Sequence, residues 1–348
     1  MKVLLTGDWH ITNKNPKFKR DNNGVSDLLE AQLNFVEWLK SLLLEDHYDM
    51  LIFLGDLTHV PTLDPLTLTY LNRMLKSLVD VGKPLIFLEG NHCITDTENT
   101  FTIVGASNEL IKEDHCHFVY KQEMLEIDGV RFYCFPYNSD YDSLTEDIRK
   151  ANENLDSDYT NLLLYHFPCS NAVLDNGIQS KKGIALTDDI AGNFDGCYGG
   201  DFHKHQKLPL HHNAWYVGAP FDLNHGEHYD RGVMSLDIPE LDFKVLNNPY
   251  QIPIIEVTQE EFKGLSKELL QNSVIKVTDS DEKFVADLKK LETYNVITLS
   301  GSKTKKSSAT IINHVSVKNY KGLRREVALN TPEEDREGAL NLFDKVKN

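Results

Sequence analysis

The chain has 348 residues, 41% of them hydrophobic and 26% charged, and a formal net charge of −17. That length suits one large domain plus a smaller one, and the absence of any run of about 18 apolar residues excludes a membrane span. The acidic balance excludes a protein that coats nucleic acid unaided, because phosphates would be repelled over most of its surface.

MKVLLTGDWH opens the chain as a strand, since its apolar part is too short for a signal peptide. Leu28, Leu29, Leu33, Val36 and Leu39 then recur at helical spacing, DMLIFLGDLTH follows as a second strand, Leu68, Leu71, Leu75 and Leu78 mark a second helix, and KPLIFLEGNHC is a third strand. Strand, helix, strand, helix, strand with continuous apolar strands is the α/β pattern with both sheet faces covered. From GVRFYCFPY onward the strands come closer together, TNLLLYHFP among them, which predicts a second sheet packed on the first; residues 196–246 read as short strands joined by turns. The Asn- and Pro-rich NNPYQIPI, 247–254, is the expected boundary. Domains are therefore expected at 1–248 and 249–330, the second a small α+β cap built from NSVIKVTD, EKFVADLKKLE and NVITLSG. Residues 331–348 are expected as a C-terminal helix, with Thr331 as N-cap and Pro332 in its first turn. The five cysteines (Cys93, Cys116, Cys134, Cys169, Cys197) are scattered and without CxxC spacing, which suits a reducing, cytoplasmic setting and no disulfide framework or zinc ribbon.

The informative observation is where ligand-type residues fall. Functional groups gather at the carboxyl ends of strands in open α/β sheets. Here successive strand ends carry Asp8 and His10, Asp56 and His59, Asn91 and His92, His166, then Asp201 and His203, most beside a glycine (Gly7, Gly55, Gly90, Gly200) suited to a tight turn. Oxygen ligands mixed with imidazoles, without thiolates, suit Mn²⁺, Fe²⁺ or Mg²⁺ better than structural zinc. About seven such ligands are too many for one ion. Two ions bridged by a carboxylate would use them all, activating water and clamping the oxygens of an in-line displacement at phosphorus.

DWH, GDLTH, GNH, the lone histidine of LLYHFP and GDFHKHQ stand in an order that resembles the calcineurin-like metallophosphoesterase superfamily. Within it, GDWH at the start and the AWYVGAP and DRGV stretches after the last ligand motif are most similar to SbcD-type repair and recombination nucleases, especially phage versions. The resemblance implies an αββα two-sheet sandwich with a small α+β cap, and a Mn²⁺-dependent DNA exo/endonuclease working beside an SMC-like ABC-type ATPase, as a homodimer joined through helices such as that over 64–80. It also implies roles: Asp8, His10 and His203 on one ion, Asn91, His166 and Asp201 on the other, Asp56 bridging, His92 assisting at the scissile phosphate and His59 near the substrate.

Two positions depart from the family pattern. Asp201 stands where a histidine is usual, bringing negative charge and a harder oxygen. Cys93 stands where an acid usually orients the ligands. Around these, Lys14, Lys17, Lys19 and Arg20 form a basic loop suited to tracking phosphates without reading sequence, flanked by Trp9 and Phe18, which would stack on an unpaired base or pack in the core. SKTKK, 302–306, is a second basic loop, and Leu340, Leu342, Phe343 and Val346 share part of a face that would pack on the cap or dock the ATPase. The rival readings are a small-substrate phosphatase or cyclic-nucleotide phosphodiesterase on the same fold, and a metal-impaired scaffold for the ATPase.

Overall fold

A computed structural model describes residues 1–311 apart from 46–47, 96–100, 175–176, 225–230, 282, 285–294 and 301–308. The strands run β1 (Lys2–Thr6), β2 (Met50–Leu54), β3 (Leu85–Leu88), β4 (Cys116–Val119), β5 (Glu123–Ile127), β6 (Val130–Phe135), β7 (Thr160–His166) and β8 (Gly196–Gly200), followed by β9 (Gln206–Lys207), β10 (Ala214–Tyr216), β11 (Gly232–Asp237) and β12 (Asp242–Asn247). They form two six-stranded mixed sheets, ordered β12-β11-β1-β2-β3-β4 and β5-β6-β7-β8-β10-β9.

Alternation along each strand explains why the sheets stack. In β1, Val3 and Leu5 point between the sheets and Leu4 points outward. Ile52 and Leu54 of β2 meet Leu162 and Leu164 of β7 in the same central layer. On the outer face of the first sheet, Leu51 and Phe53 pack with α1 (Asp27–Leu44) and α2 (Pro65–Val79). Outside the second sheet, Leu163 and Tyr165 join Leu144 and Ile148 of α4 (Tyr141–Glu153), the fourth helix after the short α3 (Ile103–Leu110). Four layers result, α/β/β/α, as expected for the sandwich; burying each such Leu, Ile or Phe contributes roughly 1.5–3 kcal/mol. α1 starts at Ser26, whose side chain accepts from the Leu29 N–H, and α2 at Asp64, with Pro65 in its first turn. The buried face of α2 is Leu71, Met74, Leu75 and Leu78, whereas Leu68 is exposed.

The short strands expected over 196–246 divide between the sheets: β8, β9 and β10 lie in the second, whereas β11 returns to the first, pairing antiparallel with β1 and carrying β12 at the edge. Its near-continuous burial fits a strand with a sheet on one side and helices on the other.

β13 (Ile254–Thr258), β14 (Val274–Ser280), β15 (Asn295–Ser300) and β16 (Ala309–Ile311) form a third sheet. The first three are parallel, which requires crossovers, and α6 (Gln259–Phe262) and α7 (Lys267–Asn272), which follow the one-turn α5 (Asp188–Ala191), fill the first of these. The helix expected over 282–292 lies mostly outside the described residues, and the 302–306 loop and the 331–348 helix lie wholly outside them. The boundary segment is not a loose linker. The backbone N–H of Asn248 donates to the Arg231 carbonyl at 2.7 Å, its side chain donates to the Pro220 carbonyl at 2.8 Å, and Ile254 enters the first core.

Candidate metal centre

The carboxyl ends of β1, β2, β3, β7 and β8 point to one place. Two of the loops leaving them are zipped together: Asp8 donates its backbone N–H to the Gly55 carbonyl (2.8 Å), His10 to Asp56 (2.9 Å) and Ile11 to Leu57 (3.0 Å). This pairing holds Asp8, His10 and Asp56 in the left-handed region, at φ +53°, +46° and +58°, and Asp201 stands at +97°. Such backbone is costly for a side-chain-bearing residue and collects at functional sites, where surrounding structure must hold it.

The strand-end glycines act chiefly by allowing close approach. Only Gly55 of the four has positive φ. A methyl on Gly55 would collide with the His166 ring, on Gly90 with Asp56, and on Gly200 with the Leu54 carbonyl.

Two trios of donor atoms gather within 4.8 Å: Asp8, His10 and His203, and Asp8, Asp56 and His166. Asp56 stands between the halves. Its Oδ1 lies 3.4 Å from His166 Nε2, its Oδ2 3.5 Å from His10 Nε2, and Oδ1 also accepts the His92 backbone N–H at 2.9 Å. Asn91 Oδ1 reaches His166 Nε2 at 3.1 Å, and His10 Nε2 faces His203 Nε2 at 3.1 Å. His166 donates from Nδ1 to the Leu54 carbonyl, which turns Nε2 toward Asp56. His92 is held likewise, its Nδ1 on the His59 carbonyl at 2.9 Å and its Nε2 4.0 Å from Asp56, and it is 39% exposed. A third trio, His10, His59 and His92, lies at the mouth, where His59 stacks on His92.

Charge is crowded here. Burial pushes the Asp8 carboxyl up to about 6, against the pull of His166 and His203. Burial also raises Asp56, but His166, with His10 and His92, overrides it and holds this carboxyl below the usual range. Burial lowers His166, yet Asp56, Asp8 and Asp201 raise it to about 10. His10 is pushed well below its ordinary value by burial, and His59 is lowered for the same reason.

All seven residues expected as metal ligands lie at this one site. Asp201 joins none of the three trios; it donates its backbone N–H to Asp8 Oδ1 at 3.1 Å, and its half-buried carboxyl is raised by desolvation. Cys93 is buried and its Sγ accepts the Thr58 N–H at 3.3 Å, so it braces the GDLT turn. The basic loop is tied to its own chain: Lys17 Nζ donates to the Leu223 carbonyl (2.6 Å) and Arg20 to the Asn13 carbonyl (2.6 Å). Lys19 is partly buried, while Lys14 is exposed and 4.0 Å from Asp64. Lys17 is close enough to His59 to lower it further. Trp9 packs on Phe35 and Phe53, and Phe18 is equally buried, so neither offers a stacking face.

Two supporting residues escaped the sequence reading. Gln32 of α1 is buried, donates to the Trp9 (2.8 Å) and His10 (3.3 Å) carbonyls, and accepts from Thr12 N–H. A glutamine on an otherwise apolar helix face was its signal. Glu89, the residue after β3, is fully buried, accepts from the Val104 N–H, and is raised to about 7 by burial; its signal was a carboxylate adjoining an apolar run.

The donor set fits divalent cations. Two imidazole nitrogens face each other at 3.1 Å, where one proton at most lies between them, and His10 Nδ1 has no hydrogen-bond partner among the described residues. The Asp8 and Asp56 carboxylates are buried beside them, and hard oxygen with imidazole is a divalent-metal set.

A family model described as calcineurin-like phosphoesterase matches residues 1–230. No curated protein matches the chain. Among solved structures, the chain is similar to the TT1561 protein of Thermus thermophilus (14% identity, TM-score 0.41, covering 71% of this chain and 98% of that one). It is also similar to purple acid phosphatase PPD1 from yellow lupin, Lupinus luteus (13%, 0.42, 68% and 49%), and to a dimetal phosphatase from Danio rerio (9%, 0.43, 71% and 96%). Among the described residues no helix is long and apolar enough to cross a membrane.

Proposed function

The chain belongs to the calcineurin-like phosphoesterase family, and from that premise we propose that it is a Mn²⁺-dependent DNA exo/endonuclease of the SbcD type, acting as a homodimer beside an SMC-like ATPase. The observation that carries the phosphoester chemistry is Asp56, whose two oxygens face His166 on one side and His10 on the other. In this reading Asp8, His10 and His203 would hold one ion, Asn91, His166 and Asp201 would hold the other, and Asp56 would serve both. The two ions, when bound, supply Lewis acidity to the phosphoryl oxygens and a nucleophile made from water.

The chain's own residues do the rest. His92, with Nδ1 fixed on the His59 carbonyl, turns Nε2 toward the centre, 4.0 Å from Asp56, and hands a proton to the departing oxygen. His59 stacks on His92, and Lys17, bonded to the Leu223 carbonyl, lies close enough to lower His59; in this reading the two meet the flanking phosphates. The basic edge, with the SbcD-like GDWH and DRGV stretches, favours a polynucleotide over a small ester.

The test is incubation of the purified protein with Mn²⁺ and either end-labelled linear duplex or bis(p-nitrophenyl) phosphate, with EDTA, Asp56→Asn and His92→Gln controls. Manganese-dependent DNA degradation, lost in all three controls, is expected. Turnover of the small diester with DNA left intact would assign the protein to small-substrate phosphodiesterases. Cleavage of neither, even with the ATPase subunit and ATP, would make it a scaffold.

A further inference from the structure

The last ligand loop is held from behind by a buried arginine. Arg231, the residue before β11, is 1% exposed, and its Nε donates to Asp222 Oδ1 at 2.6 Å. Its Nη1 donates to the His203 carbonyl at 2.7 Å and lies 3.4 Å from the Ala219 carbonyl. The His203 carbonyl also accepts the Ala219 N–H at 3.0 Å, so both of its lone pairs are engaged. Gly218 has φ +78°, and a methyl there would crowd the backbone of His205 and the His203 carbonyl.

Asp222 is in turn held by the strap that leads to the third sheet. Its Oδ2 accepts from Gln251 Nε2 at 3.0 Å and from the Ile254 N–H at 3.4 Å, while Asn248 donates to the Arg231 carbonyl. The chain of contacts therefore runs from residues 248–254 through Asp222 and Arg231 to the backbone of His203, whose ring nitrogen faces His10.

A buried ion pair is a poor source of stability, since desolvation offsets much of its attraction. What this pair supplies is geometry. A planar guanidinium addresses a carboxylate and a carbonyl from fixed directions, which an ammonium does not.

We propose that Arg231 is a positioning residue for His203, locked by Asp222 to the strap 248–254, and that it sets the affinity of the ion His203 holds. The inference rests on the reading of His203 as a metal ligand. Outer partners that orient metal ligands typically change affinity about 10–100-fold.

The experiment is calorimetric titration of Mn²⁺ into the metal-stripped full-length protein, comparing wild type, His203→Ala, Arg231→Lys and Asp222→Asn, with thermal melts alongside. Wild type is expected to bind two ions. Arg231→Lys, which keeps the charge, is expected to weaken about 10–100-fold the same ion that His203→Ala loses, and to leave the other unchanged. Should Arg231→Lys fail to fold, Asp222→Asn carries the test with the same expected selectivity. Unchanged binding of both ions, or equal weakening of both, overturns the positioning role while the metal-centre reading stands. A wild type that takes up no Mn²⁺ overturns that reading and this inference together.

Discussion

His166 donates its Nδ1–H to the carbonyl of Leu54 at 2.6 Å, joining the last residue of β7 in one sheet to the last residue of β2 in the other. The bond fixes which ring nitrogen faces Asp56 and sets the spacing of the two sheets where the donors converge. His166→Gln keeps polarity but has no ring to span both partners. We expect it to bind one Mn²⁺ rather than two and to lose at least ~100-fold in phosphodiester turnover, the cost typical of removing one preorganised electrostatic group. Metal stoichiometry by calorimetry and turnover together check this.

Gly90→Ala tests whether close approach is what the glycine supplies. Its backbone is extended, at φ −117°, so alanine is conformationally acceptable, but the new methyl would overlap Asp56. The expected outcome is a folded protein with turnover down at least ~100-fold. Gly82→Ala is the contrast: it has φ +75° with open space around it, so it should lose roughly 1 kcal/mol of stability and retain activity.

Metal binding should release protons and weaken in acid. Burial raises Asp8 to about 6, and its carboxylate neighbours raise His166 to about 10. A raised value means the proton is held to higher pH, so an incoming cation must displace it. Apparent Mn²⁺ affinity is therefore expected to rise from about pH 5 through about pH 6 as Asp8 ionises. At roughly neutral pH the proton displaced comes chiefly from His166. Calorimetry in buffers of different ionisation enthalpy counts those protons; release of none at neutral pH would contradict the arrangement.

Gln32→Leu probes the support from α1. The change keeps bulk but leaves the Thr12 N–H without its acceptor and the Trp9 and His10 carbonyls without the amide. Leaving buried polar groups unpaired costs about 1–3 kcal/mol each. Urea unfolding should show a loss of that order, with turnover falling more than stability because the loop carries His10.

The residues that meet at the candidate metal centre were legible in the sequence because their pattern is local. Asp8 and His10, or Asn91 and His92, sit within two residues of each other at the end of an apolar run, and that run already implies a buried strand whose end is the site. The sandwich was legible for the same reason: both faces of each central strand are apolar, so layers must cover both. The return of β11 to the first sheet was not, since a short apolar strand suits either sheet and only pairing with β1 chooses.

What the tertiary structure alone decided is which groups hold the candidate ligands in place. Gln32 and Arg231 bond the backbone of the loops that carry His10 and His203, and Asp222 holds Arg231 in turn, all from scattered positions in the chain; one polar side chain in an otherwise ordinary helix or loop carries no periodic signal. Nor does spacing reveal that Gly90 must lack a methyl, or that Phe18 is buried. The ligand types follow from strand-end chemistry written along the chain. Their geometry follows from hydrogen bonds and close contacts between segments that meet only after folding.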